Sequence, residues 1–174
     1  MGKYMYIRDT KLVPVTDAEI SRCSFNCDYM IAHQLLKNQI YKVGIVYGEI
    51  IDDNMYIGWS ICSENDKFDL KKGIEYAKHR YKSECINLPD ITACPNRYKR
   101  SVAEGIYEVA YQLFQEYLSS GMKSNEVLEL VRLMPQPTLE VKCENDKELI
   151  RDFYKAQSKL TERLCSYIED REYD

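Results

Sequence analysis

Residues 41–81, YKVGIVYGEIIDDNMYIGWSICSENDKFDLKKGIEYAKHRY, change hydrophobic period in a single step. Val43, Ile45 and Tyr47 alternate with Gly44, Val46 and Gly48. Met55, Ile57, Trp59 and Ile61 alternate with Tyr56, Gly58, Ser60 and Cys62. A period of two marks strands, and Asp52, Asp53 and Asn54 between the runs tolerate turn backbone, so the pair predicts an antiparallel hairpin. Gly44, Gly48 and Gly58 are read as one thin face, packed closely by the following helices or by a ligand. Ser63 with Asp66 three residues on has capping-box spacing and predicts a helix over 64–82. On its wheel Leu70, Ile74, Ala77 and Tyr81 form the apolar stripe, flanked by Lys67, Lys71, Lys78 and Lys82, whose stems cover apolar surface while the ammonium groups stay wet.

Working outward, residues 3–7 predict a short strand and Pro14 a change of direction. Thr16 or Asp17 caps a short helix to about Cys23, and Ser24 or Asn26 caps a weaker helical segment ending near Asn38. Downstream, Pro89 and Pro95 mark a connection over 83–98, and a second helix runs from Tyr98 to Leu118 with Val102, Ile106, Val109, Ala110, Leu113, Phe114 and Tyr117 inward, stopped by Gly121. Residues 127–134 fit strand or helix. Pro135 and Pro137 force extended chain before a strand expected at 138–143. The last helix is expected from Asp146 to Glu169, burying Leu149, Phe153, Ala156, Leu160, Leu164 and Tyr167; its length suggests projection beyond the core or a homodimer contact, with fraying after 169. The fold class is therefore α+β: an antiparallel sheet containing a central hairpin, packed by three main helices with a long C-terminal helix, in a single compact domain over 1–174.

Composition bounds the function. The 174 residues are 45% hydrophobic and 30% charged, which is globular usage. No apolar run is long enough to span a bilayer and MGKYMYIRDT has no apolar signal core, so a soluble cytoplasmic protein without membrane partners is expected. A net charge of -4 gives no overall attraction to nucleic acid. Seven cysteines in a chain of this size read as free thiols in a reducing compartment.

No GxGxxG, Walker loop, HExxH or GxSxG occurs, and Ser60 and Ser63 have no local base, so no catalytic residue is nominated. Cys23 and Cys27 with His33 lack a second ligand pair, His79 lacks a carboxylate partner, and no metal or cofactor is expected. Binding residues are better represented. Arg80, Arg97, Tyr98, Lys99 and Arg100 cluster around the start of the second helix, and Lys67 and Lys71 sit at the start of the first, where cations oppose the helix dipole and an anion would offset them. Tyr47, Tyr56 and Trp59 on the hairpin supply an aromatic interaction surface.

The stretch GWSICSENDKFDLKKGIEYAKHR, Gly58 to Arg80, resembles a pattern in small bacteriophage accessory proteins: strand, Cys62-Ser63, two spacers, Asp66-Lys67-Phe68, then Lys71-Lys72-Gly73 and a helix ending in Arg80. This resemblance implies an accessory protein of the infected bacterial cytoplasm that binds and inhibits a host defence or regulatory protein without catalysis. Sequestration of a nucleotide-like phosphorylated ligand, nucleic-acid binding and a small enzyme are the alternatives.

Overall fold

The computed structural model describes residues 2–22, 36–82 and 86–172. Backbone proximity groups the chain into two units, Met1–Ile7 with Val43–Asp174, and Arg8–Lys42. The elements are β1 (Lys3–Pro14), α1 (Asp17–Ile20), β2 (Leu36–Ile51), β3 (Asn54–Ile61), α2 (Leu70–Lys78), β4 (Ile86–Asn87), α3 (Asn96–Ser119), α4 (Ser124–Leu133) and α5 (Glu144–Glu172). The strands form one sheet in the order β1-β2-β3-β4. This is the α+β class expected, with the hairpin β2/β3 antiparallel at its centre and the two-residue β4 added in parallel.

In the first unit the hairpin turns on Asp52 and Asp53, both with positive φ (48° and 61°), the backbone of a two-residue primed turn that matches strand twist. The register pairs Tyr47 with Gly58 and Gly48 with Ile57. Residues paired directly across a ladder share a face, so the three glycines do not line one side as expected. Gly48 belongs with Val46, Met55, Ile57 and Trp59, whereas Gly58 belongs with Ile45, Tyr47 and Ser60. Each glycine admits a different helix. A Cβ on Gly48 would lie 2.7 Å from Val109 of α3, and one on Gly58 would lie 2.0 Å from the Ala77 carbonyl oxygen of α2.

The sheet is thus covered on both faces. On one, Ile45, Tyr47 and Ala77 pack with Phe68, Leu70, Ile74 and Tyr81. On the other, α3 buries thirteen residues between Tyr98 and Leu118 because the sheet lies on one side of it and α4 and α5 on the other. Its end at Gly121, φ 102°, satisfies the last carbonyls through Gly121 N–H to Leu118 O and Met122 N–H to Tyr117 O.

Four further expectations are corrected. The first helix starts at Leu70 instead of 64, because Asp69, not Ser63, caps it: its Oδ1 accepts the Lys72 N–H at 2.9 Å, while the Asp66 N–H only closes a turn on Ser63 O. Phe68, just before the cap, packs on Gly73 in the next turn and holds that start in place. Residues 36–38 begin β2 instead of ending a helix. No strand forms over 138–143, where Thr138 makes one isolated bridge to Asp90. Finally, α5 does not project: Leu149, Phe153, Leu160, Leu164 and Ile168 are buried along it against α3 and α4, and it stays helical to Glu172. Residues 127–134, ambiguous in sequence, lie almost wholly in α4.

In the second unit, β1 continues through Arg8–Pro14 and β2 through Leu36–Lys42, with α1 after Thr16. The Glu19 carboxylate accepts from the Thr16 N–H and hydroxyl and pairs with Lys37. The Lys37 hydrogen bond, then those from Thr16, hold its pKa down to about 2. The suggested ligands Cys23, Cys27 and His33, and the caps Ser24 and Asn26, lie outside the described residues.

Candidate functional site

The basic residues at the start of α3 do come together, but mostly with carboxylates of the same chain. Lys99 is 5% exposed, and its Nζ donates to Asp146 Oδ1 at 2.9 Å. The other Asp146 oxygen accepts the backbone N–H groups of Lys142 and Cys143 at 2.9 and 3.2 Å, so this carboxylate also caps the start of α5. The bond from Lys99, followed by that from Lys142, holds the Asp146 pKa down to about 2. Arg100 donates to Asp152 at 2.7 Å, and Arg97 lies 3.7 Å from Glu64 with its guanidinium 4.9 Å from the ring of buried Tyr98. A cleft of about 240 Å³ separates the starts of α3 and α5, lined in part by Asn96, Lys99, Arg100, Cys143, Asn145 and Asp146. Its cations already have carboxylate partners at short range, which weakens the drive to capture an anion there.

Lys67 and Lys71 are exposed, Lys67 on the turn before α2 and Lys71 in its first turn, so the continuous lysine stripe is broken. Arg80 is different. Its guanidinium lies 4.0 Å from the ring centre of Trp59, and Nη1 donates to the carbonyls of Trp59 and Tyr76 at 3.1 and 3.4 Å. Partial burial lowers its pKa. Cys94 lies in the fields of both Lys99 and Arg80, but burial outweighs them and raises its thiol to about 12, unsuited to nucleophilic work.

The hairpin aromatics are core residues. Trp59 is 2% and Tyr47 8% exposed, and the Trp59 indole N–H donates to Asp90 O at 2.9 Å. Tyr56 is half-buried, its ring 5.3 Å from that of Tyr81. This packing leaves Trp59 and Tyr47 almost no area to offer a partner. Around them Glu49 collects the Tyr47 hydroxyl, the Tyr81 hydroxyl and Lys78 at 3.0, 3.2 and 2.7 Å. Burial works against the Glu49 carboxylate, yet the bonds from Lys78 and Tyr47 prevail and keep its pKa below the usual range. Burial, then the Glu49 bond, pushes Tyr47 up to about 12 and raises Tyr81 further.

Exposed aliphatic side chains share one strand face in the second unit, whereas those of the first unit, such as Leu133 and Val141, lie in different segments. Tyr41 reaches Asp9 at 3.4 Å and lies beneath Lys11 at 5.2 Å, which places Asp9, Lys11 and Tyr41 on one side of the strand pair. By alternation Leu12, Leu36 and Ile40 share the other side, and they are 63%, 54% and 66% exposed. Nothing in the composition singles these three out, and Leu36 falls in a segment expected to be weakly helical. Glu49 and Asp146 were likewise missed: each acts through partners far away in sequence.

Among the described residues, no group of three or more His, Cys, Asp or Glu side chains is placed to hold a metal ion, and no helix is long and apolar enough to cross a membrane. No family model, curated protein or solved structure matches this chain. The fold and surface therefore define a class by geometry alone: an α+β scaffold whose central hairpin is covered on both faces, and a second unit that presents Leu12, Leu36 and Ile40 to solvent.

Proposed function

We propose that this chain is a non-catalytic interaction protein that binds and inhibits a host defence or regulatory protein. The observation that carries this reading is the exposed Leu12, Leu36 and Ile40 face. Three large aliphatic side chains on one strand face, each more than half exposed, lose little by folding and gain on covering, at about 25 cal/mol per Å² of apolar area removed from water. The charge pattern supports binding over turnover. The half-buried carboxylates Glu49 and Glu108 and the buried Asp146 are each committed to a lysine or arginine of the same chain, which leaves them poorly suited to accept a substrate proton. The resemblance of Gly58–Arg80 to phage accessory proteins supplies the expected class of target and the infected bacterial cytoplasm as its setting.

The test compares capture from host lysate by the wild type and by a Leu12→Ser, Leu36→Ser, Ile40→Ser triple variant with an unchanged melting temperature. A protein retained stoichiometrically by the wild type and lost by the variant supports the reading. Equal retention by both proteins, or a captured species that the pure protein converts with turnover, removes it.

A further inference from the structure

Partly or fully buried basic groups in this protein normally meet a carboxylate. Lys3 pairs with Glu116, Lys37 with Glu19, Lys99 with Asp146 and Arg163 with Glu108. Arg80 is half-buried and meets only carbonyl oxygens, both through Nη1. Its Nε and Nη2 make no hydrogen bond or ion pair with the described residues. The ends of carbonyl dipoles, including Tyr76 O in the last turn of α2, offset part of the charge but do not neutralise it. A partly desolvated cation left in this state favours an anion more than a hydrated surface lysine does.

The guanidinium is also held in place. Trp59, itself buried, backs the guanidinium at 4.0 Å, and the two carbonyl bonds fix the Nη1 corner between β3 and the end of α2. A planar fork with one corner anchored and the adjoining Nε and Nη2 donors unspent is suited to two parallel N–H···O bonds with an oxyanion, a geometry that lysine cannot reproduce. We propose that Arg80 is an oxyanion-binding group that takes a carboxylate or phosphate on its Nε and Nη2 edge, with Trp59 as the backing wall. This site uses none of Leu12, Leu36 and Ile40 and does not depend on the interaction reading.

Trp59 is the one tryptophan of the chain, so its emission reports the site directly. The pure protein is titrated with inorganic phosphate and, separately, with acetate, each against sodium chloride at matched ionic strength. The expected result is a saturable emission change with a dissociation constant on the order of 1–10 mM, the range for roughly 3–4 kcal/mol of binding. It should weaken at least about fivefold in R80K, which keeps the charge and loses the fork, and vanish in R80Q. Saturation by phosphate alone identifies a phosphate site; saturation by acetate, alone or as well, identifies a carboxylate site. A linear response to both anions, or an unchanged response in R80Q of wild-type circular dichroism, overturns the proposal. Should either variant fold poorly, phenylglyoxal modification of the wild type decides: the saturating anion must protect Arg80 more than exposed Arg132, and equal protection overturns the proposal.

Discussion

Gly58→Ala tests the closest approach made at a glycine among the described residues. The added Cβ would lie 2.0 Å from the Ala77 carbonyl oxygen and 2.8 Å from its carbon. Since C···O contacts are comfortable only from about 3.3 Å, α2 must lift from β3 by about 1.3 Å. The obstacle is helix backbone and has no rotamer to retreat to. Overpacking of this kind costs about 1–3 kcal/mol, and this site belongs at the upper end. The lift also stretches the bond from Ser60 Oγ to Gly73 O, 2.8 Å in the structure, worth about another 1 kcal/mol. Reduced freedom of the unfolded chain returns about 0.5 kcal/mol. The net loss is about 3 kcal/mol, or about 6–12 °C in melting temperature for a domain of this size. Gly105→Ala is the internal control. Its Cβ would meet a Val46 methyl at 2.7 Å and the Val46 Cβ at 3.2 Å, side-chain atoms and not helix backbone, and alanine gains about 0.5–1 kcal/mol in a helix interior. Urea and thermal unfolding should place G105A within about 1 kcal/mol of wild type, the packing cost and the propensity gain nearly cancelling. If G58A melts within 2 °C of wild type, or less steeply destabilises than G105A, α2 does not rest its backbone on β3 and the two-sided sheet is wrong.

Three further outcomes follow from the buried groups. The Asp146 pKa is depressed to about 2 in the folded chain, so its contribution is complete above the ordinary carboxylate range and is lost as pH falls towards 2; wild type and D146N should therefore differ in urea midpoint at pH 5 and converge by pH 2, and a gap constant across that range would refute the assignment. Burial with a thiol pKa of about 12 predicts that native Cys94 resists iodoacetamide at pH 8 while exposed Cys143 is labelled, as read by mass spectrometry; equal labelling of the two refutes it. Phe153→Ala should cost about 3–5 kcal/mol in urea unfolding and its exposed neighbour Tyr154→Ala less than about 0.5 kcal/mol, and comparable losses would place the α5 face wrongly.

The fold was most legible where period and punctuation agreed. The seven inward residues named for α3 are all buried, and Gly121 ends the helix with positive φ, because a long 3.6-residue stripe and a glycine stop are local signals. The hairpin was legible for the same reason. Its faces were not, because alternation within a strand does not say which residue pairs with which; only the register Tyr47 to Gly58 puts Gly58 under α2 and Gly48 under α3. The start of α2 was misplaced by competition between two acceptable caps. Ser63 and Asp69 both have the chemistry, and the packing of Phe68 on Gly73, a tertiary contact, favours Asp69.

The same distinction explains why the basic cluster reads as a site in sequence and as scaffold in the fold. Arg97, Lys99 and Arg100 fall within four residues at a helix start, and the sequence alone does not show which acids they meet. Folding brings Glu64 from the turn before α2 and Asp146 and Asp152 from α5, carboxylates 33 to 52 residues away, and the cations become the fastening of α3 to its neighbours. Asp146 does two jobs there, since the oxygen not bound to Lys99 caps α5; removing it exposes a buried ammonium and two backbone N–H groups together. Arg80 differs because its surroundings are β3, the end of α2 and buried Trp59, which supply carbonyls and a ring but no carboxylate. Within the described residues of this protein, a basic group therefore points to a ligand when folding half-buries it and leaves it without an acid, and crowding of positive charge along the chain is not enough.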